Sequence, residues 1–200
     1  MDNHKYRKIF SNLPVIETER LILKKIEPSN VNDMYAYASL GQVTRYLLWT
    51  SHLNIEETKG YIEYLQKQYR KGNYADWGLN CKEDGVFIGT CGFADMDLAN
   101  NKGEIGYVLS PSYQGRGYMK EAVTAILDLA FCNLGLERVE IRIMDGNAAS
   151  VKFASSVGFK HEGTLRNCLL LRGEYKTLHY YSILKDEFIS DKNTKTRSSR

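Results

Sequence analysis

The run Glu104-Ile-Gly-Tyr-Val-Leu-Ser-Pro-Ser-Tyr-Gln-Gly-Arg-Gly-Tyr-Met119 constrains this chain more than any other. Ile105, Tyr107 and Leu109 alternate as strand residues do, Pro111 ends the pairing, and Gln114-Gly115-Arg116-Gly117 forms a glycine-flanked turn before a helical pattern. Strand, turn and helix in that order set a row of backbone N–H groups at a helix N-terminus. The helix dipole favours an anion there, and the glycines let a phosphate approach the main chain. Two common phosphate loops do not fit the letters. A dinucleotide fold needs a third glycine three residues after Gly117, where Lys120 stands, and a P-loop needs Gly-Lys-Ser/Thr, which the chain lacks.

Around this run the periodicities alternate between strand and helix. Arg20 to Lys25 reads as a first strand. Pro28-Ser29 opens a helix carrying Val31, Met34, Tyr35 and Ala38 on one face, with Ser29 as expected N-cap. A second helix spans about Ile55 to Lys71, with Asn54 as N-cap and Glu57 in the capping-box position. Ala75 to Cys81 and Val86 to Ala94 flank an Asp84-Gly85 hairpin turn. Met119, Ala122, Val123, Ile126, Leu127, Ala130 and Leu134 recur at helical spacing until Gly135, a core stripe rather than a cofactor box. Arg138 to Met144 then alternates, and its strand–helix–strand connection predicts a parallel partner for the strand ending at Leu109. A short helix over 147–156 and late strands over 160–166, 167–171 and 178–184 complete the pattern.

The central run resembles motif A of the GNAT N-acetyltransferases, whose Gln/Arg-x-x-Gly-x-Gly/Ala loop binds the pyrophosphate of acetyl-CoA. Gly117 falls at its first glycine, and Met119 stands where the second glycine or alanine usually sits. Asn147-Ala-Ala-Ser150, Val157-Gly158-Phe159 and Glu162-Gly163-Thr164-Leu165-Arg166 resemble the signature of the RimJ/RimL-like ribosomal-protein acetyltransferase branch, and Thr18-Glu19-Arg20-Leu21-Ile22-Leu23 resembles its opening. The likeness runs from about Ile16 to Phe188. It implies an α/β GNAT fold: one mixed, largely antiparallel twisted sheet of about seven strands with a splayed parallel pair, flanked by about four helices. It also implies a division into an N-terminal extension (1–15), a single acetyltransferase domain (16–188) and a disordered polar tail (189–200).

The same resemblance implies the site. Pantetheine would lie in the splay beside Val108 and Leu109, with the phosphates of acetyl-CoA on the amides of Gln114, Gly115, Arg116, Gly117, Tyr118 and Met119. Asn147 and Ser150 would reach the same cofactor. Transfer to an amine needs a base for the attacking nitrogen and an acid or stabiliser for the leaving sulfur. Glu162 and Glu104 are the two candidate bases and Ser150 the candidate acid. Tyr46, Leu47, Trp49 and His52 would contact the acceptor. Many GNAT enzymes carry a tyrosine acid seven residues after the asparagine, where this chain has Ala154, and the RimI type carries a glutamate where Arg142 stands. Both departures point to the RimJ/RimL-like mechanism. The implied acceptor is a primary amine, either a protein N-terminus or a small amine such as an antibiotic or polyamine. A module of another class would keep the acyl-CoA splay as a sensor without transfer.

Composition bounds what else the chain can be. Two hundred residues suit one domain, and the 43% hydrophobic and 26% charged fractions are those of a globular protein. No apolar run approaches the ~20 residues that span a bilayer, and the polar start lacks a signal peptide's apolar region, so a cytoplasmic location is expected. Net charge of +3 argues for no nucleic-acid partner. Cys81, Cys91, Cys132 and Cys168 lack paired zinc spacings and are expected as thiols, with Cys91 and Cys132 inside apolar patterns. The four histidines likewise lack metal-ligand spacing, so no metal is expected. Both monomers and homodimers suit the resemblance.

Overall fold

A computed structural model describes residues 3–73 and 75–198. Its elements run α1 (Asn3–Ser11), β1 (Ile16–Glu17), β2 (Leu21–Lys24), α2 (Val31–Ala38), α3 (Gly41–Thr44), α4 (Ile55–Lys71), β3 (Asp76–Cys81), β4 (Phe87–Asp97) and β5 (Lys102–Leu109). They continue with α5 (Tyr118–Asp128), β6 (Arg138–Met144), α6 (Ala148–Val157), β7 (Lys160–Leu171), β8 (Glu174–Leu184) and α7 (Lys185–Ser198). The eight strands form one sheet in the order β1-β2-β3-β4-β5-β6-β8-β7. Among the described residues only β5 and β6 run parallel, as the helix connecting them requires. Helix α7 occupies most of the segment expected as a tail. Residues 199 and 200 of that tail, and 1 and 2 of the N-terminal extension, lie outside the described residues.

Local chemistry sets most element ends. The Asn54 side chain accepts from the Glu57 N–H (3.1 Å), satisfying one orphan donor of α4, while the Glu57 carboxylate takes the N–H of Leu53 just ahead of the cap (2.9 Å). Gly72 closes that helix at φ +68. The expected start at Ser29 moves, because Pro28–Asn30 forms a 3-10 turn in which Asn30 Oδ1 takes the Glu27 N–H (2.9 Å); α2 follows from Val31. The helix after the glycine loop changes pitch. Leu129–Leu134 is a π-helical segment that keeps Leu129, Ala130, Phe131 and Leu134 buried before Gly135 ends it at φ +74.

Most of the core lies between the sheet and its helices. Trp77, Leu79 and Cys81 alternate along β3 and are fully covered; Phe10 of α1 meets the Trp77 and Phe93 rings edge-on at 6.3 and 6.0 Å. The Tyr6 hydroxyl donates to the Leu134 carbonyl (3.0 Å), which ties the N-terminal extension to the end of the π segment. Ile26, Tyr37, Ile62 and Tyr69 are buried on the opposite side, under α2 and α4. Of the two cysteines in apolar patterns only Cys91 is buried; Cys132 sits on the outer side of the π segment and is exposed.

Candidate active site

The parallel pair opens almost as soon as it forms. β5 meets β6 only at Lys102↔Arg138, Gly103↔Val139 and Glu104↔Glu140, after which β5 continues to Leu109 and β6 to Met144 without a ladder between them. On its other edge β5 stays paired with β4 as far as Gly89↔Leu109. The sheet therefore carries a slot bordered by two strand edges whose facing main-chain groups are not paired with each other. Such groups recruit an extended partner.

At the end of β5 a 3-10 turn over Pro111–Tyr113 leads to Gly115 (φ +73) and Gly117 (φ +83), the latter being the N-cap of α5. No side chain caps that helix, so its first amides face outward beside two positions whose positive φ favours glycine. Tyr118 and Met119 send their side chains into the core, leaving the main chain as the donor surface at the departed second glycine. Arg20 fixes this loop: its Nη1 donates to the Arg116 carbonyl (2.9 Å), its Nε pairs with Glu121 (2.7 Å), and its guanidinium lies 4.5 Å from the Tyr118 ring centre. Burial pushes the Glu121 carboxyl up, but hydrogen bonds from Thr18 and Arg20 outweigh it and hold the group below its ordinary range. That charge is thereby spent on Arg20 instead of repelling an anion. The Gln114 side chain donates to the Leu109 carbonyl (2.9 Å), closing the loop on the strand.

The slot opens into a cavity of about 470 Å³ lined from both sides of the sheet. Glu104, Tyr107, Val108, Asn147 and Ser150 line it, together with Tyr46, Leu47, Trp49 and His52. Asn147 caps α6, its side-chain oxygen accepting from the Ser150 N–H (3.1 Å). The Tyr107 hydroxyl donates to Ser150 Oγ (3.2 Å), which leaves the serine's own hydrogen free to point elsewhere. Burial pushes Tyr107 up to about 12, so it stays protonated. Tyr107 escaped the sequence reading, which took it as a strand residue. Ala154, at the position of the usual tyrosine acid, is fully buried, and its methyl group has no proton to donate.

The two candidate bases differ sharply. Glu104 is largely buried at the head of the slot and pairs with Arg142 Nε (2.7 Å). Burial raises its carboxyl above the ordinary range, and Arg142 only partly offsets this. Glu162 does not line the cavity. It sits on exposed β7 in a two-pronged pair with Arg138 and accepts from Ser182 Oγ (2.5 Å). The Arg138 and Ser182 bonds pull it down to about 2. Of the two expected bases, Glu162 is thus engaged by Arg138 and Ser182 outside the cavity, whereas Glu104 lines it. Arg142, read as an absence, is the partner that orients Glu104.

The acceptor side is built by a loop and a hairpin held together. The Tyr46 hydroxyl donates to the Gly146 carbonyl (2.9 Å) across the cavity mouth. β7 and β8 turn through Arg172 (φ +52) and Gly173 (φ +79), and Arg172 Nη2 reaches the carbonyls of Thr44, Leu47 and Trp49 at 3.2, 3.2 and 2.6 Å. The Trp49 and His52 rings lie 5.3 Å apart, and His52 Nδ1 meets Thr58 Oγ1 at 2.7 Å. Burial lowers the His52 pKa, so the ring is neutral at pH 7. Among the described residues no group of three or more His, Cys, Asp or Glu side chains is arranged to hold a metal, and no helix is long and apolar enough to cross a membrane.

Comparison with known proteins agrees with this geometry. Residues 20–160 match the family model described as an acetyltransferase (GNAT) domain. The uncharacterized N-acetyltransferase p20 of Bacillus licheniformis is 31% identical over 176 residues, covering 88% of this chain and 99% of that protein. The ribosomal-protein-serine acetyltransferase of Escherichia coli K12 is 27% identical over 172 residues, covering 84% and 95%. Among solved structures, a GNAT-family acetyltransferase from Bacillus anthracis superimposes with a TM-score of 0.78 over 86% of this chain and 99% of that one; at 24% identity the likeness is one of fold.

Proposed function

The chain belongs to the GNAT N-acetyltransferases, which use acetyl-CoA, and we propose that in this one Glu104 removes the acceptor's proton while Ser150, with Tyr107 behind it, serves the leaving sulfur. One observation carries the assignment. The slot opens immediately after Glu104, and Glu104, Tyr107 and Ser150 all line the cavity beside it.

The open amides of α5 and the glycine turn suit the pyrophosphate of acetyl-CoA, and the free edge of β5 suits pantetheine amides, with Val108 and Asn147 alongside. Bound there, acetyl-CoA supplies an activated acyl group. The protein's residues do the rest. Glu104 accepts the proton that an ammonium must lose before its nitrogen can attack, directly or through a water, and its raised pKa brings it nearer the optimum for a base at neutral pH. Ser150 donates its hydrogen toward the sulfur as the carbon–sulfur bond breaks and a carbon–nitrogen bond forms. Tyr107 holds the serine oxygen as an acceptor, so that hydrogen points away from the tyrosine. The walls hold both reactants in register, the effect that supplies much of the rate in such transfers.

Acetyl-CoA titration by calorimetry, followed by thiol release with N-terminal peptides, polyamines and amine antibiotics, tests the reading. Glu104→Gln should keep acetyl-CoA affinity and lose about 10²–10⁴-fold in kcat, the range for a positioned base, whereas Glu162→Gln should leave kcat near wild type. The reverse pattern would return the base to Glu162. Binding with no transfer to any acceptor would favour the sensor. Relatives named for ribosomal proteins put a protein N-terminus on the acceptor panel.

A further inference from the structure

A second carboxylate lines the cavity and takes no part in the chemistry assigned to Glu104. Asp76 opens β3, where Asp76 faces Gly92 on β4 and Gly92 faces Gly106 on β5. Directly opposed residues in a sheet share a face, and residues two apart along a strand share it too. Asp76, Gly92, Gly106 and Glu104 therefore project to one side. Two strand spacings and two residues along β5 separate Asp76 from Glu104, about 12 Å between Cα atoms.

Between the two acids the floor is bare. A Cβ on Gly92 would lie 2.9 Å from Asp76 Oδ1 and 2.5 Å from its Cα, so the carboxylate leans over a position that only glycine can occupy. At Gly106 only the Ala94 Cβ comes near, at 3.5 Å. Aromatic side chains wall this trough: Trp49 and His52 from the loop, Tyr61 and Tyr64 from α4, Tyr37 from α2. The His52 and Tyr61 rings lie 6.3 Å apart, as do those of Tyr61 and Tyr64.

Asp76 accepts from the Tyr61 hydroxyl at 3.3 Å, and among the described residues it pairs with no cation. Burial raises its pKa to about 6. Arg142, the other charge on the cavity wall, is committed to Glu104. A carboxylate set among aromatic faces without a counter-ion is a site for a cation, bound by charge and by the ring quadrupoles together.

We propose that the acceptor is a small diamine or polyamine whose second ammonium sits on Asp76 within the aromatic wall while its reacting amine lies beside Glu104. This deepens the transferase reading and rests on it. The partly enclosed volume suits a small molecule, since drug-sized ligands occupy pockets of roughly 300–1,000 Å³. Two anchors separated along a trough also make the site measure length, so affinity should depend on the number of methylenes between the nitrogens.

The test is kcat/KM for a homologous series of α,ω-diaminoalkanes against 1-aminoalkanes of equal chain length, with wild type and Asp76→Asn. Wild type should favour diamines by about 10-fold or more, the worth of a charge-assisted bond, with an optimum at one chain length. Asp76→Asn should erase both the preference and the optimum, bringing kcat/KM for each diamine down to that of the monoamine of equal length. Equal turnover of the two series by wild type, or a preference that survives Asp76→Asn, overturns the proposal. Efficient acetylation of N-terminal peptides without either amine series overturns it too, yet leaves Glu104 and Ser150 in their roles. Wild-type rates in Glu104→Gln and Ser150→Ala would remove those roles while the length preference stood.

Discussion

Asp76→Asn should stabilise the protein at neutral pH, because the carboxylate is held where an ionised acid is unwelcome. The groups facing it are Tyr61 and Tyr69 from α4, Tyr37 from α2 and Cys91 from β4, all raised by burial and all neutral at pH 7. Burial moves Asp76 from an unfolded value near 3.9 to about 6 in the folded protein. The folded state then binds more protons than the unfolded state between those values, and stability must fall as pH rises through the window. Below about 4 both states are protonated and the penalty is absent; above about 6 it is complete. Two units at 1.36 kcal/mol each give a penalty of about 2–3 kcal/mol.

The asparagine variant keeps the shape and an oxygen for the Tyr61 hydroxyl, and it removes the ionisation. Urea unfolding of both proteins from pH 4 to 8 isolates the effect, since other titrating groups cancel in the difference. The curves should coincide near the acid end and diverge by about 2–3 kcal/mol at pH 7, or roughly 4–12 °C in Tm for a chain this long. A variant that is less stable than wild type at pH 7, or a difference independent of pH, would refute the reasoning. A merely structural aspartate loses stability when replaced; one kept for a cationic guest gains it.

Arg142→Leu should move the acid limb of the kcat/KM profile to higher pH: Glu104 works deprotonated, and Arg142 is what lowers its raised pKa; an unmoved limb would separate Glu104 from the observed ionisation. Arg172→Ala removes three contacts to the acceptor loop, worth about 2 kcal/mol in a half-exposed setting. Acceptor KM should therefore rise by up to about 30-fold with acetyl-CoA affinity unchanged in calorimetry, and equal losses for both substrates would count against a loop effect.

Features that depend on neighbours in sequence were legible. The glycine turn, the Asn54 cap and the Asp84-Gly85 hairpin are written within a few residues each, and the parallel pairing of β5 with β6 follows from the helix between them. Partners brought in across the sheet were not. Glu162 sits beside a local signature, yet its fate is decided by Arg138 on β6 and Ser182 on β8, 24 and 20 residues away. Asp76 falls inside the strand expected from Ala75 to Cys81, where nothing local marks it out. It becomes a pocket acid because α4 lays Tyr61 over it and the missing Cβ of Gly92 leaves it room to pack against β4.

Three residues other than glycine adopt positive φ among the described residues: Asn101, Asn167 and Arg172, each at +52. Asparagine tolerates the left-handed region through its short polar side chain, so two of the three need no special cause. Arginine has no such excuse. A two-residue turn with both central residues at positive φ favours Asn-Gly, and here Arg172 takes the asparagine position ahead of Gly173. The backbone cost is of order 1–3 kcal/mol and persists only where surrounding structure holds it. What holds it is the guanidinium on Thr44, Leu47 and Trp49, a contact asparagine is too short to make. The locally unfavourable choice at the hairpin tip is thus tied to the loop that walls the acceptor, and Arg172→Asn should relieve the turn while freeing that loop.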